Sequence, residues 1–420
     1  MSKLKALFKN EYIFSVLTKI GTMLIGMAYS IVFARFVGAE LKGSLAYIHS
    51  IVATGSIVLS FGIHHAYPYY RKNADNVIEY NKRFVSTSCF LYVIYLILGV
   101  IVFLFFQSNE IVSASVFLMV LWSYNRVQGY VVLIETPNKR NKSIMVFSVV
   151  ELCLAIGLFL FTKANFYTGL LCMSCLEICK FLYFTLELKG FISAKYISPR
   201  HAVEIVKYGI LPMLALLMTT LNYRIDVIML KNTSNILIAE VGVYSIGIAL
   251  TEKVLLIPDA IQEILLSRLA KHRGASEVAA VTRITLPVCL AVAAAIAVLG
   301  KPFLDFFYGR EYQGAYAVTC ISITGTLWMV FFKMISQFNI VNRHQGRNVI
   351  LLSVAIITNV VLNLIFVPIW RINGAAFATS VGNALCAALF VIDFSKESRI
   401  PIRNIVFIQK RDIQKVLKLR

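Results

Sequence analysis

The sequence predicts an all-α protein that crosses a membrane twelve times, and three observations carry that expectation. Hydrophobic residues fill 59% of the 420 positions and charged residues only 15%, with a mean hydropathy of +0.76. Soluble domains hold about 45–50% and about 25% respectively. The apolar residues gather in twelve runs, each close to the roughly 20 residues that span a bilayer. Lys and Arg collect in alternate connections between the runs, as they do where cytoplasmic loops set orientation. This composition excludes a soluble two-domain enzyme, a secreted disulfide scaffold, a disordered chain and a nucleic-acid binder.

The first six runs are 12–34, 45–66, 84–106, 111–133, 143–162 and 166–188. The second six are 208–230, 238–262, 284–300, 313–340, 348–369 and 374–392. The longest connection, Lys189 to Lys207, divides them evenly. The expected organisation is an N-terminal six-helix bundle over 1–190, a cytoplasmic linker over 191–207, a C-terminal six-helix bundle over 208–392 and a basic cytoplasmic tail over 393–420. Tyr47 and Tyr244 stand 197 residues apart, as do Arg71 and Arg268. That weak repeat relates the halves by an axis along the membrane normal, an arrangement that places substrates between repeats. Pro212, Pro258 and Pro287 are expected to break or kink the seventh, eighth and ninth segments. In the tail, Ile405, Phe407, Ile408, Ile413, Val416 and Leu417 lie among basic residues. The pattern fits an amphipathic helix on the inner leaflet, with a frayed basic terminus as the alternative.

With the N-terminus inside, the inner connections and both termini hold 28 of the 41 Lys and Arg, and the outer connections hold 7. This bias places both ends in the cytoplasm. The net charge of +20 is then matched by anionic lipid headgroups. Cysteines introduced at Lys139 and Lys271 are expected to label from the cytoplasm, and one at Lys231 from outside. A cytoplasmic position 231 would overturn the twelve-span arrangement. The basic stretch Met1–Asn10 leads into a full spanning length, so no cleavable signal is expected.

All eight cysteines fall in apolar runs. Cys172, Cys175 and Cys179 share a helix face, and read as small packed side chains rather than a metal site. There is no phosphate-cradling Gly-Lys loop, no H-E-x-x-H and no dinucleotide fingerprint, so neither catalysis nor a cofactor is expected. His64 and His65 read as interfacial.

Charges inside apolar runs are costly and need a reason. Lys180 lies three residues after Glu177 and is expected to be neutralised by it. Arg126 and Lys333 lie toward the inner ends of their segments, where snorkelling and a water-filled lumen compete as explanations. Lys19, Arg224 and Lys253 are nearer mid-segment, and a lumen is the cheaper explanation. Lys19, Arg126, Arg224 and Lys253 are therefore the candidate substrate-binding residues, and their charge points to a phosphorylated lipid or another large anion. With no nucleotide site, uphill transport needs an ion gradient or consumption of the product. Asp226 and Glu252, close in sequence to Arg224 and Lys253, are the coupling candidates, each able to bind a proton or cation in one state. The alternative for each is an acid that holds its cation in place.

Four stretches resemble a known family. Ala34–Gly43 (ARFVGAELKG) is similar to the R-x-x-G-x-x-x-x-G connection of polysaccharide exporters. Tyr223–Asp226 (YRID) with Val241–Ser245 (VGVYS) resembles the start of their second half. Phe307–Tyr316 (FYGREYQGAY) resembles the segment before their tenth helix, and Asn373–Thr379 (NGAAFAT) the opening of their twelfth. Together they resemble the Wzx-type O-antigen flippases of the multidrug/oligosaccharidyl-lipid/polysaccharide exporter superfamily, over nearly the whole chain. The resemblance implies two six-helix bundles in the V shape of multidrug exporters, a cation-lined cavity, and residence in the bacterial inner membrane. It implies carriage of an undecaprenyl-diphosphate-linked oligosaccharide, a lipopolysaccharide or other surface-polysaccharide repeat unit, to the outer leaflet. A polysaccharide polymerase and a chain-length regulator are the implied partners, beside membrane lipids. A cation-coupled multidrug exporter of the same superfamily is the alternative, but it would favour an acidic, aromatic lumen. An O-antigen polymerase or ligase would need a large external loop, and every external loop here is short.

Overall fold

A computed structural model describes residues 11–409 apart from 234, 273 and 343; for residues 11–17, 19–20, 263–264, 266–268 and 270–272 it describes the backbone alone. The expected amphipathic stretch of the tail therefore lies outside the described residues from 410 onward. Among the described residues the chain is helical, with no strand.

The long helices are α1 (Glu11–Ser60), α3 (Val77–Phe106), α4 (Glu110–Glu135), α5 (Pro137–Phe161), α6 (Phe166–Leu188) and α7 (Pro199–Lys231). They continue as α8 (Ile238–Thr251), α9 (Leu256–His272), α10 (Ala275–Phe307), α11 (Ala315–Val341) and α12 (Gln345–Ser398). Two short helices, α2 (Ala66–Lys72) and α13 (Ile402–Val406), complete the set. Nine stretches among the described residues are long and apolar enough to span a membrane. Two of them, α1 and α12, are long enough to hold two crossings each. Helix α4, which Arg126 and other polar residues make less apolar, supplies the twelfth. The protein is a multi-pass membrane protein, and side chains such as Phe105, Phe161 and Ile357 are exposed where a bilayer would cover them.

The structure corrects several expected breaks. The outer connection at 35–44 is helical, and α1 turns only at Gly38, whose φ of 71° is a region that glycine enters without strain. The eleventh and twelfth segments also run on without a loop, and Arg371 takes the turn at φ 54° and ψ −132°. That strained backbone is held by a fork of two bonds from Arg371 to Glu240, at 2.8 and 2.6 Å. Of the three prolines, only Pro258 coincides with a break. A 3-10 turn at Glu252–Leu255 separates α8 from α9, since the proline has no N–H to give and its ring crowds the carbonyl four residues back. Pro212 and Pro287 lie inside continuous helices.

The chain forms two compact units, Met1–Leu217 and Met218–Arg420. The division falls inside α7, not in the 191–207 connection. The beginning of α7 packs closely on the first unit. A Cβ on Gly209 would stand 2.2 Å from the Phe61 carbonyl oxygen, so only glycine permits this crossing, and Tyr208 stacks on Tyr69 at 5.0 Å. The first unit is filled by two clusters, one around Tyr67, Phe84, Val127 and Phe184 and one around Phe33, Leu45, Ile48 and Cys172. In the second unit Phe331, Phe390, Phe394 and Leu352 build the core, and Ile405 of α13 closes it. Helices α11 and α12 approach so closely that a Cβ on Gly325 would lie 2.2 Å from Ser380 Cα, the small-residue packing that helices use in lipid.

Candidate functional site

In the first unit, α4, α5 and α6 enclose a cavity of about 200 Å³ lined by Trp122, Asn125, Arg126, Arg140, Glu177, Lys180 and Phe184. Glu177, Lys180 and Phe184 are spaced three and four residues apart, so they share one face of α6. Trp122 and Arg126 do the same on α4. Lys180 is held by Glu177 at 2.7 Å, the pairing expected from their spacing. Asn125 donates to both the backbone carbonyl and the carboxylate of Glu177 at 2.8 Å.

The two arginines are left poorly served. Arg126 donates from Nη2 to Ser56 Oγ at 3.3 Å, and its buried Nε has no partner. Arg140 Nε is also buried without a partner. Neither arginine has an ion pair among the described residues. The cavity thus carries three cations against one acid, with guanidinium donors facing it. Taking a guanidinium out of water without a counter-charge is costly, and an anion is the group that relieves that cost. Arg126 was expected here; Arg140 was not. Position 140 falls between the expected segments 111–133 and 143–162, but Pro137 takes the first position of α5, as proline does readily. That earlier start makes Arg140 helical and turns it to the cavity. The sequence Thr136-Pro137 was the available signal. Lys19 lies in α1, and its side chain is outside the described residues.

In the second unit the expected cations Arg224 and Lys333 have neighbours from elsewhere in the chain. Arg224 Nη1 lies 3.6 Å from Glu252 Oε1. Lys333 Nζ lies 2.5 Å from Asp259 Oδ1 and sits over the Tyr223 ring. Lys253 is half-buried and has no ion pair among the described residues. Glu252 therefore partners Arg224 rather than its sequence neighbour Lys253.

Asp226 does not partner Arg224 at all. Two residues along a helix put side chains on different faces, and Asp226 turns into the unit, where it is 2% exposed. Thr379 Oγ1 and the Tyr244 hydroxyl donate to its Oδ2 at 2.6 and 2.9 Å, and Asn363 Nδ2 donates to Oδ1 at 3.3 Å. Asn363 also donates to Asn359, and Asn363 Oδ1 and Asn359 Nδ2 have no partner. No cation approaches this carboxylate among the described residues. A buried charge served only by neutral donors is a group that can take up a proton or a small cation. Sequence proximity to Arg224 gave no hint of this cluster, since Tyr244, Asn363 and Thr379 come from α8 and α12.

In the cysteine triplet on α6, Cys172 is buried and Cys175 and Cys179 are half-buried.

No family model matches the chain, and no curated protein matches it by sequence. Solved structures do match. An inward-facing multidrug resistance MATE family transporter of the MOP superfamily is 16% identical, with a TM-score of 0.68 over 93% of this chain and 98% of that one. The lipid II flippase MurJ in an inward closed conformation is 13% identical, with a TM-score of 0.72 over 94% of this chain and 89% of that one. A Vibrio cholerae MATE transporter is 14% identical, with a TM-score of 0.53 over 96% of this chain and 99% of that one. The fold of this chain is thus the fold of MATE transporters and of the MurJ flippase.

Proposed function

We propose that this protein is a flippase for an anionic, lipid-linked headgroup, moving it from the inner to the outer leaflet of a bacterial cytoplasmic membrane by alternating access. The observation that carries the reading is the cavity of Arg126, Arg140 and Lys180, whose guanidinium donors lack a counter-charge. Diphosphate suits it, because planar guanidinium forks bind phosphate oxygens in pairs. The likeness in fold to a lipid II flippase supports this class of cargo. The motifs similar to Wzx-type exporters narrow it to an undecaprenyl-diphosphate-linked oligosaccharide, an O-antigen or other surface-polysaccharide unit, delivered to a polymerase and a chain-length regulator. Lys19, Arg224 and Lys253 would extend the cationic path, and the bundles at 1–190 and 208–392 would be the alternating bodies.

The fold is equally that of multidrug transporters, and the sign of the cavity separates the two readings. A cationic drug would have to enter a space holding three cations and one acid. Protein reconstituted in liposomes should move a fluorescent diphosphate lipid between leaflets, with competition by undecaprenyl diphosphate and none by ethidium. Ethidium transport without diphosphate-lipid movement would replace this reading with the multidrug one.

A further inference from the structure

A second cavity in the first unit, of about 320 Å³, has the opposite character to the first. It is built where α2 turns into α3 and the first turns of α7 pack beside them, at the end that holds inner-connection residues. Its floor is aromatic. The His201 ring meets Tyr80 edge-on at 5.6 Å and Tyr70 at 6.2 Å. Its rim is acidic: Asp75, Glu79 and Glu204 line it against a single lining cation, Arg83. In a protein of net charge +20, on an end where the basic residues concentrate, this local acid excess stands out.

The lining carries the three carboxylates of Asp75, Glu79 and Glu204 beside the donors of Arg83, the tyrosines and the asparagines. His201 is 6% exposed. Its Nδ1 faces Glu204 at 3.6 Å, while Nε2 has no partner. A proton on Nδ1 beside the carboxylate leaves Nε2 a lone pair that seeks a donor. The Tyr80 hydroxyl is also buried without a partner. Asn73 donates one amide N–H to the Tyr69 carbonyl at 2.9 Å. The loop is already shaped, since Asn76 caps α3 by accepting from Ile78 and Glu79. Glu79 and Glu204 touch Arg83 and Arg200 only at 3.4 Å on exposed pairs, which contribute little and exchange readily.

Aromatic rings beside carboxylates attract donor-rich cations. We propose that this cavity binds a guanidinium or alkylammonium group, either on a free amine or as an Arg or Lys side chain of a cytoplasmic polypeptide. It is a site separate from the cargo cavity, and it does not depend on the flippase reading.

The test uses the full chain in lipid nanodiscs and titration calorimetry with three probes: agmatine, an acetylated hexapeptide with one arginine, and the same peptide with citrulline. The arginine peptide or agmatine should bind, and the citrulline peptide should bind at least about tenfold more weakly, since only the cation gains from the acids and rings. Asp75→Asn with Glu204→Gln should weaken the cation at least about tenfold with an unchanged melting temperature. Tyr80→Leu should weaken it as well. A peptide at least tenfold tighter than agmatine assigns the group to a polypeptide; equal affinity assigns it to free amines. Equal binding of the arginine and citrulline peptides, or full binding to the double variant, overturns the proposal.

Discussion

Arg140→Ala is expected to abolish most export while the protein inserts normally and melts no lower than the wild type. The two halves of that result come from one cause. Arg140 reaches a cavity where its guanidinium has no ion-pair partner among the described residues and its Nε has no hydrogen bond. Removing such a charge releases a desolvation cost, so stability is expected to hold or rise. The cargo phosphate loses a charge-assisted fork, worth about 1.5–3 kcal/mol, which corresponds to roughly 10- to 150-fold in affinity. Arg126→Ala should act in the same direction, and losing both should cost less than the product of the single effects, because the two share one ligand. Arg140→Lys should recover part of the activity, since the charge survives but the fork does not. The measurement is export of the lipid-linked substrate at matched expression, beside thermal melting of the purified variants. Full export in the alanine variants would remove the cavity from the transport path. A large fall in melting temperature would instead make the two arginines structural.

How much of this could be read in the sequence depends on the range of the interaction. Membrane crossings are set by local composition, so the twelve segments were legible although α4 is polar and two connections proved helical. The expected loop at 35–44 contains Arg35, Glu40 and Lys42, but helix propensity does not forbid charges, and one glycine at Gly38 is enough to turn the chain. Lys180 and Glu177 were legible for the same reason, lying three residues apart on one helix. The sites were harder. A lone cation in an apolar run looks the same whether an acid from another helix meets it or not, and Asp259 meets Lys333 across 74 positions of chain. Arg140 was hidden by a helix that starts six residues, nearly two turns, before the expected boundary. Asp226 was paired in sequence with Arg224, but its bonds go to Tyr244, Thr379 and Asn363, because neighbours in sequence diverge around a helix.

The last expectation rests on that partner change. Asp226→Asn should leave downhill exchange of cargo nearly intact and remove its acceleration by an imposed gradient. A carboxylate at 2% exposure, which accepts from Tyr244, Thr379 and Asn363, has two forms open to it: neutral with a proton, or charged with a small cation drawing on the amide oxygens of Asn359 and Asn363. On the proposed function, either uptake would favour the conformation in which the cluster is closed, and would so bias the protein between inward-open and outward-open states. Asparagine keeps the shape and cannot bind the proton, so the bias becomes fixed. Thr379→Val, which removes the shortest bond to Asp226, should shift the response without abolishing it. Glu252→Gln provides the contrast. It frees Arg224 from its 3.6 Å partner without touching the cluster, so it should alter cargo affinity and leave the gradient response in place. Liposomes with an imposed proton or sodium gradient, loaded with the diphosphate lipid, measure all four proteins. If Asp226→Asn follows the gradient as the wild type does, the buried cluster is scaffolding and the coupling ion binds elsewhere.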